Sequence, residues 1–290
     1  MGSSKTDVKF SLRFWGVRGS IPCAESVNML FGGNTSCVQL KNNGDDDYLI
    51  LDSGSGIRPL GDELAKDQRQ KRGHIFITHA HWDHIQGFPF FKPIYDDGNE
   101  VSIHMPAQTS GDCKQVLTGQ LTPTHFPVTA DMLHANIDYI TQPPEKQDYG
   151  SFTVEFMLAN HPVATAIYKI QLQGLTVIYA PDNELVPRHL SDDQSFRDRL
   201  IAFCRDADIL IHDGNYSLDM YEERRNWGHS AWEDATEMAI EAGVKNLYLT
   251  HHDPGATDDF LTAREEQLHQ RYKHKFASVQ LAREGVEYSY

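Results

Sequence analysis

The stretch His79-Ala80-His81-Trp82-Asp83-His84 places three histidines and one aspartate within six residues. It directly follows the apolar run 75–77, and a short apolar run bounded by turn residues is typical of a buried strand. Because side chains alternate along a strand, His79 and His81 are expected on one side of the backbone. Asp83 and His84 follow as the chain turns into a helix, so they can enter the same cleft from another direction. Imidazole and carboxylate groups suit zinc, manganese or iron, and four of them exceed the needs of one tetrahedral catalytic site. The stretch therefore predicts two adjacent metal ions.

Further acids and histidines follow apolar runs elsewhere in the chain, and strand-end loops are where rigid scaffolds usually carry chemistry. Each of them alone is typical of a turn or of a hydrogen-bonded histidine. Together with the 79–84 stretch they complete a ligand set for two metals. These residues are Asp52, His161, Asp182, Asp213 and His251.

Composition narrows the class of protein. The 290-residue chain carries a formal net charge of −15, which disfavours a partner with a long phosphate backbone. No apolar run approaches the ~18 residues of a membrane helix. Residues 1–5 are not followed by the apolar core of a secretory signal. The four scattered cysteines fit reduced thiols, so we expect a cytoplasmic protein with no membrane partner.

Short β-type runs recur along the chain with helical patterns between some of them, which predicts an α/β protein of two mixed sheets with helices outside. The predicted strands are 10–15, 37–40, 48–51, 75–77, 101–104, 152–158, 166–172, 175–179, 209–211 and 246–249. The predicted helices are 57–66, 196–205, 231–242 and 258–272. Ser230 and Glu233 predict a capping box for the third helix, and Gly243 predicts its end. We interpret residues 105–150 as an insertion that lids the site of a single domain spanning 1–290.

The order of these ligand candidates resembles that of the metallo-β-lactamase superfamily, from about residue 8 to residue 290. This resemblance implies an αββα four-layer sandwich of two mixed sheets flanked by helices, with two divalent ions, zinc or manganese, at one edge. It implies one ion held by His79, His81 and His161. It implies a second ion held by Asp83, His84 and His251, with Asp182 bridging the two. Asp52 has a supporting role in this pattern.

Two positions decide which histidine is the last ligand and whether the set matches the antibiotic-hydrolysing members. His252 competes with His251, which we favour because it follows Thr250 much as His79 follows Thr78. Several antibiotic-hydrolysing members of the superfamily have a cysteine ligand where this chain has Asp182. β-Lactamase activity is therefore not expected.

Three further segments resemble the phosphodiesterase branch of the superfamily, which includes RNase Z and the small cyclic-nucleotide phosphodiesterases. They are Gly228-His229-Ser230-Ala231, Ile211-His212-Asp213, and the glycine-rich opening 16–22 with 32–36. The resemblance implies that His229 protonates the leaving alkoxide and that Asp213 fixes its tautomer. The alternative for His229 is a structural residue before a helix cap. We count Asp83 as catalytic as well as metal-binding.

Candidates for substrate contact lie in the glycine-rich opening and beside the last ligand. They are Arg18, Asn34, Thr35 and His252. Arg18 could clamp a phosphate bidentately or pair with a surface acid. Phe88, Phe126 and Tyr149 offer stacking surfaces for a base, although plain core or rim packing is the interpretation that we favour for each.

These observations favour hydrolysis of a cyclic nucleotide or another small phosphodiester by a homodimer, in which residues 105–150 reach across a two-fold axis. There are three alternatives: a hydrolase of another ester, thioester or lactone, an RNase Z-like ribonuclease, and a non-catalytic binding module. RNase Z fits less well because residues 105–150 are acidic. They contain Lys114 and Lys146 against Asp112, Asp131, Asp138, Glu145 and Asp148.

Overall fold

The computed structural model describes residues 10–42, 46–67, 69, 71–124, 126–190 and 193–290, and these residues build two seven-stranded sheets. The first sheet contains β1 (Phe10–Gly16), β2 (Cys37–Asn42), β3 (Tyr48–Leu51), β4 (Arg72–Phe76), β5 (Glu100–Met105), β6 (Asn136–Thr141) and β14 (Glu287–Ser289). The second contains β7 (Gln147–Asp148), β8 (Phe152–Leu158), β9 (Ala166–Leu172), β10 (Leu175–Ala180), β11 (Ile209–Asp213), β12 (Asn246–Thr250) and β13 (Ser278–Leu281).

Helices flank the two sheets. In chain order they are α1 (Ile57–Leu64), α2 (Trp82–Ile85), α3 (Cys113–Thr118), α4 (Ser195–Cys204), α5 (Leu218–Tyr221), α6 (Trp232–Glu241) and α7 (Asp258–Tyr272). Within the described ranges no helix is long and apolar enough to cross a membrane. Residues 1–5, where the sequence shows no sign of a secretory signal, lie outside the described residues.

Both sheets are mixed, as predicted. In the first sheet β3, β4, β5 and β6 are parallel, whereas β14, β1 and β2 pair antiparallel. In the second sheet β10, β11, β12 and β13 are parallel, and β7, β8 and β9 pair antiparallel. The carboxyl ends of neighbouring parallel strands meet at one edge of a sheet. Segments that follow β10, β11 and β12 therefore emerge side by side.

Apolar contacts form three separate layers, which gives the four-layer αββα arrangement. Phe14, Phe76, Tyr168 and Tyr248 belong to the buried cluster between the sheets. A second cluster joins the outer face of β10–β12 to α4, α6 and α7, and a third joins β3–β5 to α1 and α3. Removing such apolar surface from water contributes roughly 25 cal/mol per Å². The contacts thus hold both sheets in a fixed relation to one another.

The start of α6 differs from the prediction. Ser230 does not cap the helix, because its hydroxyl donates to the carbonyl of Asn183 at 2.5 Å and accepts from the amide of Leu185. Glu233 accepts from the amide of Leu218 instead of completing a capping box. The prediction for Gly243 is confirmed, since it follows the helix with a left-handed φ of 72°. Ser230 therefore joins α6 to the loop after β10.

Residues 105–150 are more regular than the prediction of an insertion implies. Strand β6 pairs parallel with β5, so part of this segment completes the first sheet. The side chains of β6 alternate between exposed and half-buried, so the sequence of this strand lacks an apolar run. Helix α3 begins at a capping box between Asp112 and Gln115. The role of residues 105–150 as a lid stays a prediction.

Candidate metal centre

The predicted ligands converge at one edge of the two sheets. His79 and His81 follow β4, and Asp83 and His84 lie in the first turn of α2, so one segment supplies four side chains. The other ligands follow strands of the second sheet. These are His161 after β8, Asp182 after β10 and His251 after β12. The fold therefore brings together side chains that are far apart in sequence.

Asp182 lies between two groups of histidines. Its Oδ1 is 3.0 Å from Nε2 of His84 and 3.2 Å from Nε2 of His251. Its Oδ2 is 3.8 Å from Nε2 of His79 and 3.9 Å from Nε2 of His161. Each carboxylate oxygen thus faces a different pair of imidazoles, which is the arrangement that a carboxylate bridging two ions requires.

The potential ligand atoms fall into overlapping groups in which all atoms lie within 4.8 Å of one another. The groups are His79, His81, His161 and Asp182; Asp83, His84 and His251; and Asp182, His229 and His251. His81 faces its group through Nδ1, which is 3.2 Å from Nε2 of His161. In the second group, Oδ2 of Asp83 is 3.1 Å from Nε2 of His251. The first two groups match the two ligand sets that the resemblance implies.

Buried polar atoms at this site fit a pair of divalent cations. Nε2 of His79, Nε2 of His84 and Oδ1 of Asp182 are buried without a hydrogen bond of acceptable geometry. Such orphaned atoms are costly unless another partner satisfies them. Imidazole nitrogen and carboxylate oxygen are the donors that zinc and manganese accept. The residues present therefore fit divalent metal ions.

Hydrogen bonds behind the ligands fix the orientation of the rings. Nδ1–H of His84 donates to Asp52 at 2.7 Å, Nδ1–H of His161 donates to the carbonyl of Gly228 at 3.0 Å, and Nδ1 of His79 lies 3.1 Å from the Thr78 hydroxyl. Protons held at Nδ1 leave the Nε2 lone pairs free to bind a cation. Asp52 thereby has the supporting position that the resemblance implies.

Two residues of the site adopt left-handed backbone conformations. Asp52 has a φ of 60° and His251 a φ of 61°, which side-chain-bearing residues rarely adopt. Asp52 is held there by the amide of Thr78 at 2.7 Å and by the hydroxyl of Tyr179 at 2.8 Å. Backbone strain of this kind clusters at functional sites.

The pKa values of three ligands favour metal binding, whereas that of His84 opposes it. Burial lowers the pKa of His84, but Asp182, Asp83 and Asp52 raise it well above its usual value. Burial lowers the pKa of His79 well below its usual value, so its imidazole is neutral. Burial alone would raise the pKa of Asp182, but His251 and His84 outweigh it and hold that pKa well below its usual value. Burial alone would raise the pKa of Asp83 as well, but His84 and His251 hold that pKa well below its usual value.

His229 and Asp213 form a hydrogen-bonded pair beside the ligands. Nδ1 of His229 is 2.6 Å from Oδ2 of Asp213, and the His229 ring stacks on the His251 ring with centroids 4.8 Å apart. Burial would lower the pKa of His229, but the charge and hydrogen bond of Asp213 raise it to about 9. The amide of Asn215 donates to Oδ1 of Asp213, which fixes the carboxylate. His229 is thus an imidazole of raised pKa that lies against the ligand cluster.

Glu184 is a supporting residue that the sequence did not reveal. Its buried carboxylate accepts from the hydroxyl of Tyr221 at 2.6 Å and from the amides of Asn226 and Gly228 at 2.8 and 2.9 Å. These bonds anchor the segment that carries both the carbonyl acceptor of His161 and the His229 ring. An acid two residues after Asp182 resembles an ordinary turn residue, so no sequence signal distinguishes it.

The structure contradicts the prediction that Arg18 clamps a phosphate or pairs with a surface acid. Arg18 is fully buried, and its guanidinium donates to the carbonyls of Gly32 at 2.7 Å and Ala256 at 2.6 Å. Longer bonds reach the carbonyls of Asn28 and Asp253. Arg18 therefore joins two loops behind the site.

The other predicted substrate contacts are also structural. The Asn34 amide donates to Glu284 at 2.6 Å, and the Thr35 hydroxyl is buried and accepts from the amide of Ser55. His252 is buried and donates from Nε2 to the carbonyl of Ala282. Each of the three side chains thus has a structural partner, although Nδ1 of His252 is buried without one. The structure brings His251 to the ligand cluster and turns His252 away from it.

Of the three aromatic residues considered for stacking on a base, only Phe126 lies at an open surface, where its ring contacts that of Phe90. Phe88 is fully buried under α1. Tyr149 packs against Phe76 and Phe152 between the sheets. The favoured interpretation of plain packing is therefore confirmed for Phe88 and Tyr149, because both rings pack in or against the core.

Arg18→Met is expected to lower the free energy of unfolding by about 3 kcal/mol, because it strands buried carbonyls without donors. Urea denaturation of the metal-loaded protein measures this change. Arg69→Ala is the matched control, since Arg69 lies on the surface and pairs with Asp67. If Arg18→Met raised KM for a substrate without any loss of stability, the structural role of Arg18 would be refuted.

Comparison with known proteins identifies the family. A family model described as a beta-lactamase superfamily domain matches residues 50–252. The probable metallo-hydrolase YhfI of Bacillus subtilis is 33% identical over 71% of this chain and 75% of its own. A ribonuclease Z of Haloarcula marismortui is 24% identical over 94% of each chain.

Solved structures show the same fold. The crystal structure of YhfI has a TM-score of 0.69 and 22% identity, and covers 97% of this chain and 99% of its own. A diphosphatase from the PhnP family has a TM-score of 0.66 and 18% identity, and covers 97% of this chain and 98% of its own. The family match, the shared fold and the cluster of histidines and acids lead to one conclusion: the chain belongs to the beta-lactamase superfamily and is a metallo-hydrolase of that fold.

Proposed function

We propose that this protein is a dinuclear metal-dependent phosphodiesterase that acts on small phosphodiesters, including cyclic nucleotides. The observation that carries the proposal is the His229–Asp213 pair beside the ligand cluster. An alkoxide is a poor leaving group and needs a proton as the ester bond breaks, whereas a thiolate leaves without one. A positioned and protonated imidazole thus favours phosphodiesters over thioesters.

The proposed ligand assignment follows the two faces of Asp182. His79, His81 and His161 hold one ion, Asp83, His84 and His251 hold the other, and Asp182 binds both. Zinc or manganese is the proposed metal, because both accept mixed imidazole and carboxylate ligands. Oδ2 of Asp83 also accepts from the amide of Ser20 at 2.7 Å, which aims this carboxylate at His251.

Two divalent ions held at this site would supply Lewis-acid charge for the phosphoryl oxygens and would activate water. The residues of the chain supply the proton. The hydrogen bond to Asp213 keeps a proton on Nδ1 of His229 and stabilises the imidazolium form, so Nε2 can donate to the leaving oxygen. After cleavage, the neutral imidazole regains its proton from solvent, because the His229 side chain is 12% exposed.

Ribonuclease Z activity is the second candidate, and the similarity to the Haloarcula enzyme over 94% of each chain supports it. The charge of the chain opposes it. With 26 basic against 41 acidic residues, long-range electrostatics would repel a tRNA body. Lys114 and Lys146 are the only basic residues other than histidine in the 105–150 segment, which has more acids than bases.

A substrate panel tests the proposal. Purified protein loaded with zinc or manganese is assayed with 3′,5′-cyclic nucleotides, a linear dinucleotide, a precursor tRNA, a lactone and a thioester. We expect turnover of the small phosphodiesters and none of the thioester, whose thiolate leaves without a proton. The lactone tests for carboxylic-ester hydrolysis, because it also expels an alkoxide. Cleavage of precursor tRNA alone would favour ribonuclease Z, and turnover of thioester or lactone alone would overturn the proposal.

We also propose a homodimer in a reducing, cytoplasmic compartment. Enclosure by a partner's 105–150 segment would increase the affinity for a small ligand. The four buried, unpaired cysteines support the reducing compartment. Light scattering at micromolar concentration is expected to give twice the mass of the chain, and a monomeric mass would contradict the homodimer.

A further inference from the structure

A cleft of about 690 Å³ is lined in part by residues that neighbour the proposed ligands in the chain. Ala80 and Trp82, which alternate with the ligands of the 79–84 stretch, form one side of it. Residues of the 105–150 segment, Gln115 and Phe126 among them, also line it. The cleft is therefore continuous with the segment that carries the proposed metal ligands.

The lining is aromatic and uncharged. Trp82 is 78% exposed and Phe90 is 50% exposed, which is unusual for side chains of this size. The Phe90 and Phe126 rings meet edge to face with centroids 5.1 Å apart. Within the part of the chain that the structure describes, no acidic, basic or histidine side chain lines the cleft, and its polar groups are Ser110 and the amides of glutamines such as Gln86.

We infer that this cleft binds the uncharged aromatic base of a nucleotide substrate while the phosphodiester lies at the metal centre; the inference rests on the proposed function. A flat neutral ring gains most from stacking on exposed aromatic rings, and every nucleobase has such a face. Amide groups can pair with the donors and acceptors on a base edge. A charged group would lose hydration here without gaining a partner.

The position of the cleft decides between a base and other apolar groups. A nucleotide places its base a few bonds from its phosphate, across one sugar ring. Trp82 lies directly between His81 and Asp83 in the chain, so its Cα is about 3.8 Å from the Cα of each of these proposed ligands. A sugar-phosphate can span this separation with its base against the cleft.

The test compares two substrates that differ only in the base. One is 3′,5′-cyclic adenosine or uridine monophosphate, and the other is methyl riboside 3′,5′-cyclic phosphate, which has the same ring and leaving group. We expect the metal-loaded protein to prefer the nucleotide by about 5- to 150-fold in kcat/KM, the worth of one stacked base. Phe90→Ala should remove most of this preference, because it should lower kcat/KM for the nucleotide much more than kcat/KM for the riboside.

Trp82→Ala provides a second variant, with metal content measured because Trp82 adjoins proposed ligands. Phe260→Ala is the matched control, since Phe260 is 45% exposed on α7 and does not line the cleft. This control should keep the full preference for the nucleotide. A preference that survives both Phe90→Ala and Trp82→Ala would overturn the inference.

A binding measurement separates failure of the inference from failure of the proposed function. Calorimetry compares adenosine or uridine monophosphate with ribose 5-phosphate. Tighter binding of the nucleotide that Phe90→Ala abolishes would support the base site even if no phosphodiester is cleaved. Equal affinities for nucleotide and ribose phosphate would overturn it. Turnover of a long-chain acyl thioester that depends on Phe90 would also overturn it, because the cleft would then hold an acyl chain.

Discussion

His229→Ala is expected to reduce turnover of an alkyl phosphodiester by about 10²–10⁴-fold, the usual loss for a general acid, while leaving the metal content intact. The imidazole lies against His251 and donates to Asp213. It is also within reach of Asp182 and His251, but the proposed assignment gives both ions to Asp182 and six other histidine and aspartate side chains. The loss should shrink for a p-nitrophenyl ester, because p-nitrophenolate leaves without protonation. Steady-state kinetics on both esters, with elemental analysis, measure these effects.

The pH profile gives a second measure of the same group. Asp213 raises the pKa of His229 to about 9, so the imidazole is protonated below that pH and loses its proton above it. Bound cations would lower this pKa, so turnover of the alkyl ester should fall at or below about pH 9 as pH rises. This descending limb should be absent in His229→Ala.

Variants around His229 supply the controls. Asp213→Asn should reduce turnover in the same direction but more mildly, because it disturbs the tautomer without removing the ring. His274→Ala should have no effect, since that side chain is exposed in the short turn that follows α7. An equal loss on alkyl and p-nitrophenyl esters would show that His229 binds substrate or holds the loop instead of donating a proton.

The spacing of the ligands made the metal centre predictable from sequence. Four ligands lie in one short segment, and each of the others follows an apolar run that forms a strand, with one or two residues between, so their convergence follows from sheet topology. Strands with long apolar runs were also predicted well; β8 and β9 have the predicted bounds. Strand β6 was missed because an edge strand with alternating exposure has no such run.

Contacts between distant loops were not predictable. Arg18 lies in a glycine-rich segment that resembles a phosphate-binding turn, yet its guanidinium reaches carbonyls that include that of Ala256, 238 positions along the chain. Ser230 and Glu233 satisfy the pattern of a capping box, but tertiary partners take both side chains. A local sequence pattern indicates which hydrogen bonds a residue can make, whereas tertiary packing determines which of them form.

Asp182→Ala is expected to lower occupancy at both proposed metal sites, from about two ions per chain to less than one, because Asp182 alone faces both groups of histidines. Turnover should fall by more than the 10- to 100-fold that is typical of losing a residue that only supports a ligand. Elemental analysis after dialysis measures the occupancy. The variant has to be compared at equal folded fraction, because the charge balance of the buried cluster changes when the carboxylate is removed.

Matched variants show whether Asp182 is shared between the ions. His161→Ala and His251→Ala each remove a ligand from one group, so each should reduce occupancy of one ion and retain the other. Asp97→Ala is the control for loss of an aspartate, since its side chain is 93% exposed. Full occupancy in Asp182→Ala would remove the bridging assignment. Loss of one ion alone would make Asp182 an ordinary ligand of a single site. In that case only one of its two carboxylate oxygens would bind metal.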